Sequence, residues 1–231
     1  MQRTFIAVAL VPFALVFASL AVTYSEQQAL RSLAESYVRL VPQELGAPNV
    51  ITGILLTYRA FDTLGEVAVL FMVAAGVGLI LNSSAPESRS LDGQPESQGK
   101  ASEIVQSATQ ILFPLISIFA AYIILNGHIS AGGGFQGGAV IASGVLLLLL
   151  ANRDQHLSRQ FLSVTEAAAG VLFVLVGVAG LIFAGGFLDN RVLPLGEFGG
   201  FFSAGAIPLL SVLLGIKVGC ELSVILDRFR T

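Results

Sequence analysis

Charged side chains inside long apolar runs are the residues of this 231-residue sequence best suited to chemistry. Asp62 and Glu66 stand four residues apart at the start of one apolar run, so they share a face of a helix. Lys217 and Glu221 have the same spacing inside the last apolar run, where they can form an ion pair. Ionisable groups at membrane depth are candidates for an ion pathway. We therefore predict that these four residues border an ion or proton path.

Several of these candidates also have a structural explanation. Asp62 suits a helix N-terminus, where the helix dipole favours negative charge, and Lys217 can extend toward the membrane surface. Glu166 follows a serine by three residues, which is a capping-box pattern. His128 can titrate near neutral pH, although a lone histidine in a loop fits a structural role as well. We keep Glu166 and His128 as candidates, and we interpret Glu66 as functional and Asp62 as mainly structural.

A glycine-rich run after His128 contains Gly132, Gly133, Gly134, Gly137 and Gly138. It formally matches G-x-G-x-x-G, but a dinucleotide site needs a βαβ unit, and here membrane-length apolar runs flank the glycines. We predict a structural loop that is buried in protein or lines water. One cysteine and two histidines provide no metal-ligand spacing. We therefore expect no catalytic residue, metal or cofactor in this chain.

The composition indicates that membrane helices position these residues. Apolar residues make up 55% of the chain and charged residues only 12%, whereas about a quarter of a soluble domain is charged. This excludes a disordered chain, a nucleic-acid binder and an ordinary cytosolic enzyme. We predict an all-α integral membrane protein, because the apolar runs are continuous rather than alternating. The six predicted spans are Thr4–Val22, Asp62–Leu81, Ile104–Leu125, Phe135–Ala151, Phe161–Phe187 and Gly199–Leu226.

The positive charges predict how these spans are oriented. The side that holds both termini collects seven of them, at Arg3, Arg89, Lys100, Arg153, Arg159, Arg228 and Arg230. The other side collects four, at Arg31, Arg39, Arg59 and Arg191. By the positive-inside rule, both termini lie in the cytoplasm. The first span is too long for a usual signal-peptide core and has no clear small-x-small site after it, so we expect it to be retained.

A polar segment divides the chain into two predicted modules. Residues 83–103 are rich in Ser, Gly, Gln and Pro and have no apolar face, which is typical of a flexible linker. The first module, 1–82, has two spans and the second, 104–231, has four. Within the first, the apolar spacing near 26–45 predicts an amphipathic helix on the outer surface or against a partner, or an ordinary loop helix.

Two longer motifs resemble known families. Residues 49–56 with 58–66 resemble the small E-type subunit of membrane-bound hydrogenases and the C-terminal segment of the large Mrp antiporter subunit. Residues 127–138 resemble the MnhB-type subunit of Mrp multisubunit sodium/proton antiporters, and Gly215–Gly219 resembles that family's last-helix motif. The chain departs from the family at Ala131, where proline is common.

The resemblance implies a fused E-type and MnhB-type subunit of an Mrp cation/proton antiporter complex. Its implied partners are large antiporter-like A and D subunits, small C, F and G subunits, the lipid bilayer, and monovalent cations and protons. It implies a bacterial or archaeal cytoplasmic membrane and a transporter subunit without its own redox or hydrolytic site. Two alternatives stay open: a redox-driven complex such as a membrane-bound hydrogenase, and an assembly subunit that transports nothing. The sequence leaves open the identity of the cation, the stoichiometry and the direction of transport.

Overall fold

All regular secondary structure in the described part of the chain is helical. The computed structural model describes residues 2–24, 29–83, 102–152 and 157–230. Within these ranges, five helices are long and apolar enough to cross a membrane, and a shorter apolar helical stretch lies at Leu10–Thr23. These helices confirm the predicted all-α membrane fold with about six spans. The chain forms two compact units, Met1–Ser36 and Tyr37–Thr231.

The first unit consists mainly of α1 (Gln2–Thr23), which agrees closely with the predicted first span. The described side chains of α1, at Val8 and from Leu10 to Thr23, are exposed. The helix α2 (Ser32–Leu40) contains the boundary between the two units. It covers the middle of the helix predicted near 26–45, of which residues 26–28 lie outside the described residues.

The second unit begins with short helical pieces that lead into a long span. A π-helical turn, Val41–Leu45, follows α2, and the next residue is Gly46, where φ is +66°. The side chain of Asn49 accepts a hydrogen bond from the Thr52 amide and so caps α3 (Val50–Gly53). A second π-helical turn, Ile54–Tyr58, leads to α4 (Ala60–Ser83).

The remaining spans are α5 (Glu103–Leu125), α6 (Gly134–Ala151), α7 (Arg159–Phe183) and α8 (Ile207–Arg230). The side chain of Ser102 accepts a hydrogen bond from the Val105 amide and caps α5. Most of the predicted linker, residues 84–101, lies outside the described residues. The linker and the division into two modules therefore remain predictions.

The boundary between the last two spans differs from the prediction. The fifth span was predicted to reach Phe187 and the sixth to begin at Gly199, but residues 184–206 form a loop with one short 3₁₀ turn. Pro208 then stands in the first turn of α8, where its missing amide hydrogen costs nothing. Several residues of the loop have positive φ, which a right-handed helix cannot contain. They are Gly185, Leu188, Gly196, Gly199, Ala204 and Gly205.

The helix α8 lies at the centre of the second unit. In the most apolar stretch of α8, 61% of the residues are buried, whereas in the corresponding stretch of α4 only 6% are buried. Contacts along the helices show that α4 and α6 run parallel to α8, whereas α7 runs antiparallel to it. We call the end where α4, α6 and α8 begin the loop end, because residues 41–59, 126–133 and 184–206 lie there.

Three of the glycines predicted to form a loop belong to a helix instead. The loop ends at Gly133, and Gly134, Gly137 and Gly138 lie in the first turns of α6. A Cβ atom added at Gly138 would lie 2.8 Å from Val218 Cβ and 2.9 Å from the Gly215 carbonyl oxygen. These glycines therefore allow α6 to approach α8 closely, as small residues do in membrane helix pairs.

Two amide side chains, those of the half-buried Asn49 and the buried Asn190, fasten the segment before α4 to the loops of the later spans. Asn49 Nδ2 donates to the carbonyl oxygens of Gly127 and Ser130, both at 2.8 Å. Asn190 is fully buried, and its Nδ2 donates to the carbonyl oxygens of Leu45 and Ala204, both at 2.9 Å. Because these bonds satisfy loop carbonyls at the loop end, they fix the position of α4 against the rest of this unit.

Candidate functional site

A lysine between two glutamates forms the main charged site inside the bundle. Lys217 Nζ on α8 donates to Glu166 Oε1 on α7 at 2.7 Å and to Glu221 Oε2 on α8 at 3.2 Å. The residues Lys217 and Glu221 are 7% and 0% exposed, and the side chain of Glu166 is 15% exposed. We call Glu166, Lys217 and Glu221 the charged triad.

The triad carries more acid than base. Its two carboxylates and one ammonium leave one negative charge uncompensated when all three are ionised. Glu221 Oε1 is buried and accepts no hydrogen bond from the described residues. A buried carboxylate oxygen without a partner is costly, and a proton or a small cation would satisfy it. The triad therefore has the capacity to take up one positive charge.

Apolar and aromatic side chains surround the triad on the side toward α4. The Lys217 ammonium lies 6.0 Å from the centre of the Phe71 ring, at the outer limit for a cation–π contact. Both residues line a cavity of about 470 Å³ together with Glu166 and Gly170. The cavity therefore gives space beside the Lys217 side chain on the side of the Glu166 carboxylate.

Glu166 does not act as the predicted helix cap. The N-cap of α7 is Ser158, whose hydroxyl accepts from the Phe161 amide, so Glu166 lies two turns inside the helix. A capping box needs the acid at the third helical position. The side chain of Glu166 instead pairs with Lys217, which removes the structural alternative based on capping.

Asp62 and Glu66 have different surroundings, although they share one face of α4. Asp62 lies in the first turn and forms an ion pair with Arg59, and both side chains are about half exposed. Glu66, one turn deeper, forms no ion pair with a described residue and lines two cavities. The structure thus gives Asp62 a local partner and leaves the Glu66 carboxylate facing open space.

His128 lies at the loop end and does not join the triad. Its side chain is fully buried, with Nε2 3.4 Å from the Gly200 carbonyl oxygen and with no hydrogen-bond partner for Nδ1 among the described residues. Burial lowers the pKa of His128 below its usual 6.5, because the protein interior disfavours the charged imidazolium. The other histidine, His156, lies outside the described residues.

A second group of charged residues lies at the loop end, outside the spans. Arg191 donates to Asp189 at 2.5–3.1 Å, and this hydrogen-bonded guanidinium holds the pKa of Asp189 below its usual value. The Tyr58 hydroxyl donates a hydrogen bond to Glu44 at 2.5 Å. Burial and, in second place, the Glu44 carboxylate raise the pKa of Tyr58 to about 12. These contacts organise the surface of the loop end rather than the interior of the bundle.

Two further features were not found by sequence reasoning. Arg159 Nε donates to Asp227 Oδ2 at 2.6 Å, which joins α7 to α8 at the end opposite the loop end. Gln136 lines three separate cavities, although its place in the glycine run gave no indication of this. Its only signal was a polar side chain at the start of an apolar helix. The described residues contain no group of three or more His, Cys, Asp or Glu that could hold a metal ion.

Comparisons with known proteins place this geometry in a family. A family described as a domain related to the MnhB subunit of Na⁺/H⁺ antiporters matches residues 104–224. The chain belongs to this MnhB-related family. A second family, described as the E subunit of MBH, matches residues 2–98. The predicted fusion of an E-type segment with an MnhB-type subunit is therefore confirmed.

Individual relatives of this MnhB-type chain cover it to different extents. An uncharacterized protein of Methanocaldococcus jannaschii is 31% identical over 199 residues, which are 76% of this chain and 74% of that protein. The Na⁺/H⁺ antiporter B subunit of Bacillus subtilis is 42% identical over 91 residues, which are 38% of this chain and 63% of that protein. The match to the antiporter protein thus concerns only part of each chain.

Two solved structures have chains with the same fold. One is the membrane-bound sulfane sulfur reductase, an archaeal respiratory membrane complex, with a chain 32% identical at a TM-score of 0.80. That alignment covers 99% of this chain and 97% of the other. The second is the Mrp complex from Dietzia sp. DQ12-45-1b, which has a chain 21% identical at a TM-score of 0.77. That alignment covers 99% of this chain and 26% of the other. The fold of the MnhB-type chain therefore occurs both as a whole subunit and within a longer one.

Proposed function

We propose that this chain is a membrane subunit of an Mrp-type antiporter complex that exchanges a monovalent cation for protons. The observation that carries the proposal is the charged triad, in which buried Lys217 bridges Glu166 and Glu221 between two membrane-spanning helices. Ionisable residues in spans are expensive and commonly mark proton relays and ion paths. We assign the triad to the ion path of the complex.

The proposed exchange follows from the charge of the triad. Lys217 neutralises one carboxylate, and the second carboxylate binds either a proton or a cation at the unpartnered Glu221 Oε1. When the Lys217 ammonium moves toward Glu221, it displaces that bound positive charge, and when it returns to Glu166, the site is available again. Because both carboxylates lie within hydrogen-bond distance of the same ammonium, this movement is short.

Glu66 is proposed as a second exchange site, and Asp62 as a structural residue. The supporting contrast is that Asp62 pairs with Arg59, whereas Glu66 has no charged partner among the described residues. A carboxylate that borders a span without a partner is stabilised by water, a proton or a cation. For His128, the deep burial and the distance of its loop from the triad favour a structural role.

The proposed orientation places both termini in the cytoplasm of a bacterium or archaeon. Its support is the excess of positive charge on the side of the termini. The loop end then faces the outside. The proposed partners are the A, D, C, F and G types of Mrp subunit, and the chain itself contributes ion-path residues rather than a redox or hydrolytic site.

The experiment is cation-dependent proton movement in vesicles that contain the complete complex, normalised to assembled complex. Glu221→Gln keeps the shape of the side chain and removes its titration, so exchange should fall by about tenfold or more. The matched control is Glu103→Gln, which removes an exposed acid at the start of α5. Normal exchange in Glu221→Gln would refute the role of the triad, and loss of the complex itself would support an assembly subunit.

A second pair of variants tests Glu66 separately. Glu66→Gln should lower exchange sharply while the complex still purifies intact, because the amide cannot bind and release a proton. Asp62→Asn should retain much of the activity, since it changes an exposed ion pair that contributes little. Full activity in Glu66→Gln would reduce this residue to a packing role.

A redox-driven complex is a second candidate, favoured by a specific observation. The alignment with the sulfane sulfur reductase covers 97% of the other chain, so the same fused architecture occurs in a respiratory complex. The ion path proposed above would then be driven by electron transfer in other subunits. Purification of the native complex decides between the two, because nickel–iron or iron–sulfur subunits would be present only in the redox-driven assembly.

A further inference from the structure

Three cavities follow one another from the loop end toward the middle of the bundle. Their volumes are about 500, 400 and 660 Å³. The first two share Ile51, Gly132 and Gln136, and the last two share Glu66, Phe135 and Gln136. Because neighbouring cavities share lining residues, they form a series that begins at the surface of the loop end and reaches Glu66. Gln136 is the residue that lines all three.

The structure keeps the Gln136 side chain free to face this series of cavities. Gln136 is exposed and makes no hydrogen bond to another described residue. A Cβ atom added at Gly133 would lie 2.9 Å from Gln136 Oε1, so the absence of a side chain at Gly133 makes room for the amide. Gly133 also has a φ of +144°, which favours glycine. The glycines before α6 thus create space where the Gln136 amide lies.

Polar groups continue along the second cavity as far as Glu66. Its lining includes the hydroxyl-bearing residues Thr52, Thr63 and Ser211, and the Ser211 hydroxyl has no hydrogen-bond partner among the described residues. The backbone before Gly134 is not helical, and non-helical backbone at membrane depth is tolerated where it is buried or lines water. A cavity of this volume with several polar groups has the features that ordered water requires. Beyond Glu66 the third cavity is lined mainly by apolar side chains.

We propose that the first two of these cavities form an aqueous access path from the loop end to Glu66, and that the Gln136 amide holds its water or its hydrated cation. The amide oxygen accepts hydrogen bonds or coordinates a monovalent cation, and the amide nitrogen donates to water. The path ends at Glu66 because the following cavity is apolar. This inference rests on the proposed function, since it names the route by which the Glu66 carboxylate exchanges with one side of the membrane.

The test measures which side of the membrane reaches position 66 in the complete complex. Glu66→Cys is placed in a Cys220→Ala background, which removes the chain's only native cysteine. The probe is a membrane-impermeant methanethiosulfonate with a quaternary ammonium group, added separately to either side of sealed vesicles. Phe201→Cys, an exposed position at the loop end, reports which side that end faces. Met72→Cys, an exposed position on α4 away from the cavities, controls for reaction through the membrane.

We expect Glu66→Cys to react from the side that labels Phe201→Cys, and Met72→Cys to stay unlabelled. Adding Gln136→Leu should slow the reaction of Glu66→Cys by about tenfold, because the path loses the amide that holds water near the thiolate. Gln136→Asn should restore part of the rate, and Gln110→Leu, an exposed glutamine on α5, should leave it unchanged.

Labelling of Glu66→Cys from the opposite side, or an unchanged rate in Gln136→Leu, would overturn the proposal. The outcome is separable from that of the proposed function. If Glu66→Gln keeps full transport while Glu66→Cys reacts as expected, the ion-carrying role of Glu66 fails and the access path stands. If Glu66→Gln loses transport but Glu66→Cys reacts only from the other side, the role of Glu66 stands and this path is refuted.

Discussion

Replacement of Lys217 by methionine is the sharpest test of how the triad stabilises the bundle. The ammonium lies 2.7 and 3.2 Å from the two carboxylate oxygens. At an effective dielectric constant of about 20, these contacts correspond to about 6 and 5 kcal/mol of attraction before desolvation is subtracted. Removing one partner of a buried ion pair costs about 3–5 kcal/mol net, because the remaining charge is left uncompensated. We expect a loss of this size in Lys217→Met.

The assay is the fraction of complex that stays monodisperse in size-exclusion chromatography after heating. A loss of about 3–5 kcal/mol should lower the apparent melting temperature by roughly 10 °C. The control is Lys217→Met combined with Glu221→Gln, which removes one carboxylate together with the lysine and should recover at least half of the loss. A melting temperature for Lys217→Met within about 2 °C of the native value would refute this reasoning, because the triad would then not depend on its lysine.

Three other predictions concern the loop end and the linker. Gly133→Val should lower the yield of assembled complex, because φ is +144° at this position and the new side chain meets Gln136. The control Gly76→Val has open space around the added side chain and should assemble normally, so equal yields of the two variants would contradict the prediction. Chains covering Met1–Pro86 and Gly99–Thr231 should co-purify when expressed together, since Asn49 and Asn190 bond across the split; separate elution would show that the linker is required. Because burial lowers the pKa of His128, stability should be complete above pH 6.5 and fall as the pH drops below it. His128→Gln should remove this dependence in a melting series, and an unchanged pH profile would contradict the assignment.

The spans were largely predictable because long apolar runs have few alternatives in a membrane. The start of α5 and the ends of α5 and α6 agree with the prediction to within a residue. The boundary between α7 and α8 was not predictable from hydropathy, since the loop between them contains apolar residues such as Leu188 and Phe202. The position of this boundary depends on backbone conformation, including a positive φ at Leu188 that no hydropathy pattern indicates.

The site was predictable only where its residues lie on one helix. The spacing of Lys217 and Glu221 predicted their pairing, because residues four apart share a helix face. The contact between Glu166 and Lys217 joins residues far apart in the sequence, so it depends on the register of α7 against α8. The same limit applies to Gly134 and Gly138, which were assigned to a loop because their packing partner, α8, lies on another part of the chain.

Release of protons on addition of cations to the purified complex tests the central claim most directly. A pH-sensitive dye in weakly buffered solution would follow the release when sodium or potassium is added, with choline as the control cation. We predict proton release from the native complex and its loss in Glu166→Gln combined with Glu221→Gln, while the control variant Glu103→Gln releases protons normally. Undiminished release from the double variant would contradict the assignment of the triad to the ion path.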